Sequence, residues 1–179
     1  MVRPKTDTWQ NPLRHLRKLT KNIHYAGTCM NEDSRIFVDT NVLVYSRDSS
    51  EPVKQKQALA WMTFLWDRKS GRISYQVLQE FYATVTGKLQ PGLRVSAARE
   101  DINALLAWTP LPVDRQVIKG AWELQDRNKL SWWDALIVSA AQTAHCKYLL
   151  TEDLQEAQKF GTVQVINPFQ HSPQLATVS

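Results

Sequence analysis

Four acidic residues, three of them where a strand ends or a helix begins, are the part of this chain best suited to chemistry. Asp39 follows a short apolar run within Phe37-Val-Asp-Thr-Asn-Val-Leu43, and Asp153 closes Leu149-Leu-Thr-Glu-Asp153 in the same manner. Asp134 lies in Ser131-Trp-Trp-Asp-Ala135, at the head of a segment with no Asp, Glu, Lys or Arg from Ala135 through Cys146. Glu80 sits in Ser74-Tyr-Gln-Val-Leu-Gln-Glu-Phe81; on a helical wheel it falls beside the apolar face, near Val77 and Thr84. An acid directly after a buried strand faces desolvation unless it is paired or bound to a cation. Three or four such acids at one end of a sheet repel each other. Hard divalent cations such as Mg²⁺ or Mn²⁺, which prefer oxygen ligands, give a reason to gather them. Such ions activate water and stabilise charge on an attacked phosphoryl group, which is the chemistry of phosphodiester hydrolysis.

Each acid also has a plainer reading. Asp39 is a good helix N-cap, as are Thr and Asn beside it. Glu152 and Asp153 suit a turn, and Thr151 either orients a carboxylate or closes that turn. Ser131 and Asp134 have the spacing of a capping box, and an acid in a first helical turn suits the helix dipole. Glu80, off the centre of its apolar face, reads as a surface glutamate. Capping and metal binding are compatible, because a carboxylate has several lone pairs.

The elements that must position these acids alternate between strand and helix from Ser34 onward. Arg35–Asp39 reads as a buried strand and Thr40–Tyr45 as a first helical turn. Helices are expected over Lys54–Arg68 and Tyr75–Lys88, with a weak strand at Gly71–Ser74 between them. Ser96 is expected to cap a helix running to about Trp108. Pro110–Val113 reads as an edge strand, Arg115–Asn128 as a helix, and Trp132–Cys146 as the most apolar helix. Lys147–Thr151 and Val163–Ile166 complete the strands. Alternation with short loops implies an α/β layered domain with a mainly parallel sheet, whose functional residues gather at the carboxyl ends of the strands.

Charge and composition narrow the class. The 179 residues are 43% hydrophobic and 22% charged, as in a soluble globular protein, and no apolar run is long enough for a membrane span. No secretory signal is evident. The net charge of +5 is confined to residues 1–29, where Arg3, Lys5, Arg14, Arg17, Lys18 and Lys21 face only Asp7; the remainder carries sixteen basic and sixteen acidic residues. Residues 1–33 are therefore expected to be a basic extension, residues 34–170 the domain, and residues 171–179 a tail. The extension suits nucleic acid or a membrane surface, resembles a transit peptide in lacking acids, or precedes a true start at Met30. Cys29 and Cys146 lack metal-site spacing, Cys146 reads as a buried thiol, and a cytoplasmic setting fits. His15, His24, His145 and His171 read as surface or capping residues, not ligands. Trp61, Trp66, Trp122 and Trp133 read as core, with Trp132 a candidate for a substrate groove.

Phe37-Val-Asp-Thr-Asn-Val-Leu-Val-Tyr45 resembles the opening of a PIN domain. Ser74–Tyr82 resembles its second acidic motif and Leu130–Ala140 its third, while Leu149–Gln155 and Val165–Phe169 look like its ending. The resemblance runs in order from Ile36 to Phe169, and the chain is similar to the toxin subunit of VapBC toxin–antitoxin pairs. It implies a Rossmann-like fold, a short mainly parallel sheet sandwiched between helices. It implies Mg²⁺- or Mn²⁺-dependent endoribonuclease activity, with Asp39, Glu80, Asp134 and Asp153 as the catalytic metal set and Asn41 and Thr151 as supports. It also implies an RNA substrate, a small antitoxin partner and a homodimer, with no membrane. One departure is Ala144-His145-Cys146, where a glycine is common before the next strand; this bears on the helix cap. A haloacid-dehalogenase-like phosphatase would need a second Asp at the position of Asn41, and no Gly-x-Gly-x-x-Gly or P-loop marks a nucleotide-binding protein. A receiver domain would need a suitably placed lysine and a phosphorylatable Asp on a middle strand. The surviving alternative is a catalytically inactive PIN fold retained for binding RNA or a partner.

Overall fold

A computed structural model describes residues 35–177. Five strands form one sheet, β1 (Ile36–Val38), β2 (Gly71–Arg72), β3 (Tyr148–Leu150), β4 (Lys159–Phe160) and β5 (Val163–Ile166), in the order β2-β1-β3-β5-β4. All neighbours are parallel except the edge pair β4 and β5. β1 and β3 are buried at every residue, which is why they read as unbroken apolar runs. Among the described residues, six helices surround the sheet: α1 (Thr40–Tyr45), α2 (Pro52–Arg68), α3 (Tyr75–Gly87), α4 (Val95–Leu105), α5 (Arg115–Asn128) and α6 (Trp132–Thr143). The alternating α/β expectation and the sandwiched parallel sheet are both present.

Besides α1, which Asp39 caps, three helices start where the sequence supplies an oxygen to the first free backbone N–H groups. Ser74 Oγ accepts from Val77 N at 3.4 Å for α3, Asp114 from Gln116 and Val117 N for α5, and Ser131 from Asp134 N at 3.1 Å for α6. α4 departs from expectation. It begins at Val95, so Ser96 lies inside the helix; Arg94 holds the cap position without a side-chain bond. The helix ends at Leu105 and a 3₁₀ turn carries the chain on to Trp108. Pro110–Val113 contributes only one bridge, Ser74 to Leu111, because its prolines cannot donate to a ladder. The two-residue β4 was not anticipated; it is too short to show a period.

α6 is enclosed. Ala135 through Ala141 are all buried between the sheet and α5. The two helices approach closely at Gly120, where a Cβ would run into Ser139 Oγ, and that hydroxyl donates to Val117 O at 2.7 Å. α6 ends at Thr143, earlier than the expected Cys146, and His145 then takes a left-handed φ of 52°. It lies in the stretch Ala144–Cys146 where the resemblance makes a glycine common, and glycine is the residue with no steric cost in that conformation. Cys146 is buried, and burial pushes its thiol up to about 12, so it stays protonated. Among the described residues, no helix is long and apolar enough to cross a membrane.

Two tryptophans depart from the core reading. Trp61 is buried and Trp66 packs at 5.2 Å on Trp108, but Trp122 is 54% and Trp133 61% exposed. The buried stripe of α5 is Val117, Ala121 and Leu124. Trp122 follows Ala121 by one residue and so turns about 100° away from that stripe. Trp132, half-buried, packs against the core.

Candidate active site

The acidic loop after β3 meets the start of α1 because β1 and β3 are paired neighbours in the sheet. Phe37 aligns with Leu149 and Val38 with Leu150, and Asp39 N extends the ladder by donating to Leu150 O at 3.0 Å. Asp39 and Thr151 therefore leave adjacent strand ends side by side. Thr151 Oγ1 donates to Asp39 Oδ2 at 2.7 Å, and Thr40 N donates to Oδ1 at 2.6 Å, so Asp39 also serves as the N-cap of α1.

Asn41, the second residue of the same helix, is the hub. Its Nδ2 lies 3.1 Å from Asp39 Oδ2, 3.0 Å from Thr151 Oγ1 and 3.0 Å from Asp153 Oδ2. An amide nitrogen has two hydrogens, so these three acceptors share them. Asp153 N in turn donates to Thr151 Oγ1 at 3.1 Å. Glu80 joins from α3. Thr40 Oγ1 donates to its Oε2 at 2.6 Å and Gln76 Nε2 to its Oε1 at 3.0 Å, so both oxygens are oriented. It is half-buried and not the surface residue that its wheel position suggested. Thr40 and Gln76 were not singled out by sequence reasoning. For Gln76 the available signal was its position one helical turn before Glu80, where a long polar side chain reaches it.

Asp134 is arranged differently. Ser131 Oγ donates to its Oδ2 at 2.7 Å and accepts from its backbone N–H, the reciprocal pairing of a cap. No hydrogen bond joins it to Asp39, Glu80 or Asp153. The structure thus links three of the four predicted acids and leaves the fourth at the head of α6.

Electrostatics follow from this layout. Asp39 is buried, and burial is the largest influence on its carboxyl; the Thr151 and Thr40 hydrogen bonds oppose it, while Asp153 and Glu80 add to it. The result is a carboxyl pushed up to about 7. A buried acid beside two others is the signature of a place that wants positive charge. The available donors are all oxygen, the ligand chemistry of a hard divalent cation. Asn41 Oδ1 is also buried there without a hydrogen-bond partner. Among the described residues, no three of His, Cys, Asp and Glu come within reach of a single ion. The set accordingly fits a cation that takes one or two carboxylates directly and keeps much of its water.

No curated protein matches the chain at a significant level. A family model described as the PIN domain matches residues 36–159, which spans β1 through the start of β4 and includes all four acids. PIN domains are in general nucleases, typically metal-dependent. The match covers well over half of the chain and is carried on a five-stranded, mainly parallel sheet flanked by helices: this chain belongs to the PIN domain family.

Proposed function

We propose that the protein is an Mg²⁺- or Mn²⁺-dependent endoribonuclease and the toxin of a toxin–antitoxin pair. The observation that supports this most is Asp39, a buried carboxyl crowded by Asp153 and Glu80 within a PIN domain. Of the acids Asp39, Glu80, Asp134 and Asp153, one or two would hold the cation directly and the others would meet it through its water. Bound there, it supplies an activated water and offsets negative charge on the phosphoryl group. Thr151 and Thr40 fix the rotamer of Asp39. Asn41 ties Asp39 to Asp153 through neutral N–H donors, which hold two like charges near each other without neutralising them. Thr40 and Gln76 aim Glu80. Asp134 enters from the first turn of α6, where the helix dipole favours a carboxylate.

The substrate is RNA, and the protein works in the cytoplasm as a homodimer. Its regulator is a small antitoxin that places an arginine among the acids, since a guanidinium matches carboxylates in charge and fork geometry. Residues 1–33 are a basic extension, and a chain starting at Met30 folds and keeps its activity. The experiment is RNA cleavage by pure protein with Mg²⁺ or Mn²⁺, then with excess chelator. Cleavage that stops in chelator is expected, and undiminished cleavage contradicts the proposal. RNA binding without cleavage under every metal condition would instead support the inactive, binding-only PIN fold. For the toxin role, the neighbouring reading frame is co-expressed; failure to relieve toxicity leaves a solitary nuclease.

A further inference from the structure

Lys54 is a cation in the first turn of α2, the end of a helix where the dipole disfavours positive charge. That turn has no side-chain cap, so local helix chemistry does not explain the residue. Its contacts are all to other parts of the chain. Nζ lies 2.6 Å from Glu152 Oε2 and 3.0 Å from Tyr45 Oη, 4.3 Å from the centre of the Tyr45 ring and 5.2 Å from that of Phe169. Tyr45 and Phe169 themselves pack edge to face at 5.0 Å.

The two hydrogen-bond partners sit at telling positions. Glu152 lies between Thr151, which holds Asp39, and Asp153, which Asn41 holds. Tyr45 is the last residue of α1, the helix whose first two residues are Thr40 and Asn41. We propose that Lys54 is a positioning residue of this site: by gripping Glu152 and Tyr45 together it fixes the acidic loop 151–153 against α1 and so sets where Asp153 stands relative to Asp39. The idea rests on the nuclease reading only for its catalytic consequence. Without Lys54, the loop keeps the Asn41 and Thr151 hydrogen bonds but gains an unpaired Glu152 beside the acids, which drives the loop outward.

The pair is only partly screened, with side chains 32% and 21% exposed, so it acts as a geometric tie more than as a source of stability. A competing use is conceivable on chemical grounds: Lys54 leaves Glu152 to meet an RNA phosphate. The two uses differ in kinetics. A positioning residue affects kcat, whereas a phosphate contact affects KM and the salt dependence of binding.

The test compares full-length wild type with Lys54→Met, Lys54→Arg, Glu152→Gln and the Lys54→Met/Glu152→Gln double variant. Two quantities are read: cleavage of an RNA oligonucleotide with Mn²⁺, and amide hydrogen exchange in metal-free protein. Lys54→Met is expected to lower kcat roughly tenfold to a hundredfold with KM within about twofold, as small misplacements of reacting groups do. Exchange at Thr151–Asp153 should quicken while Leu149 and Leu150 in β3 stay slow. Lys54→Arg should regain most of the lost kcat, and the double variant should be no slower than Lys54→Met. Unchanged exchange in the loop overturns the proposal, as does equal quickening in β3, which would make Lys54 a general stabiliser. A raised KM with unchanged kcat overturns it in favour of a phosphate contact. Should wild type fail to cleave RNA, the nuclease reading falls, and the exchange comparison still decides the tie.

Discussion

Asp39 and Asp134 both belong to the first turn or cap of a helix, and the surroundings of the two diverge. Asp39 caps α1 from inside the protein, with two acids near it and three neutral donors on its oxygens. Asp134 lies in the first turn of α6 at a half-exposed position, answered by the capping Ser131. Local helix chemistry accounts for Asp134 completely and for Asp39 only in part. A cap needs one oxygen near one N–H; it does not need burial or a second and third carboxylate. The excess at Asp39 is what asks for a cation; Asp134 is assigned to that site only by the proposed function.

The largest expected effect separates the two acids by activity and stability together. Asp39→Asn should lower cleavage by roughly a thousandfold or more, equivalent to about 4 kcal/mol of transition-state stabilisation. Its metal-free fold at pH 8 should be as stable as wild type or more so. Asparagine keeps the shape and one acceptor oxygen; its amide faces the Asn41 donor badly, costing about 1 kcal/mol, but a buried charge of larger cost is gone. Asp134→Asn should also impair cleavage while leaving metal-free stability within about 0.5 kcal/mol. Equal stability changes for the two variants, measured by urea unfolding, would erase the distinction.

The next effect is on pH. The Asp39 carboxyl is raised from 3.8 to about 7. Its favourable contribution to the metal-free fold is therefore fully present below pH 3.8 and is lost as pH rises through about 7, because the folded state holds a proton that the unfolded state has released. Metal-free wild type should lose on the order of a few kcal/mol from this group between pH 4 and pH 8. Asp39→Asn should lack that slope and Asp134→Asn should keep it. Urea midpoints at pH 5 and pH 8 in chelator are the measurement, and a slope that survives Asp39→Asn assigns it to another group.

The smallest effect lies on the α6 side. Ser131→Ala removes the hydroxyl that both accepts from and donates to Asp134, and should cost about 1 kcal/mol of stability. It should change cleavage far less than either acid variant. A cleavage loss as large as that of Asp134→Asn would make the cap itself part of the site.

Much of this contrast was legible in the residues. Asp39, Asp134, Asp153, Asn41 and Thr151 lie at strand and helix ends that apolar runs and N-caps disclose, and α5 was read at its observed limits, where caps and a buried stripe agree. Other features were hidden for physical reasons. A uniformly apolar helix such as α6 has no period to tell its buried side, so Trp133 passed for core although it is exposed. Ser96 is a good cap residue, but the chain enters the helix two residues earlier, with Arg94 at the cap. The Thr40–Glu80 bond and the Lys54–Glu152 pair join residues 40 and 98 positions apart, and only the fold brings them together. The difference between Asp39 and Asp134 likewise depends on depth, and both are Asp near a helix start in the sequence.

The most direct test of the central claim is a thermal melt of wild type and Asp39→Asn, each in chelator and in Mn²⁺. A ligand that binds only the folded state stabilises it by about 1.4 kcal/mol at ten times its dissociation constant, a rise of roughly 3–5 °C for a domain of this size. Wild type should show that rise, and Asp39→Asn should show little of it while melting in chelator at least as high as wild type. Equal responses of the two proteins to Mn²⁺, or a metal-free mutant weaker by several kcal/mol, would contradict the account and leave Asp39 as a structural cap.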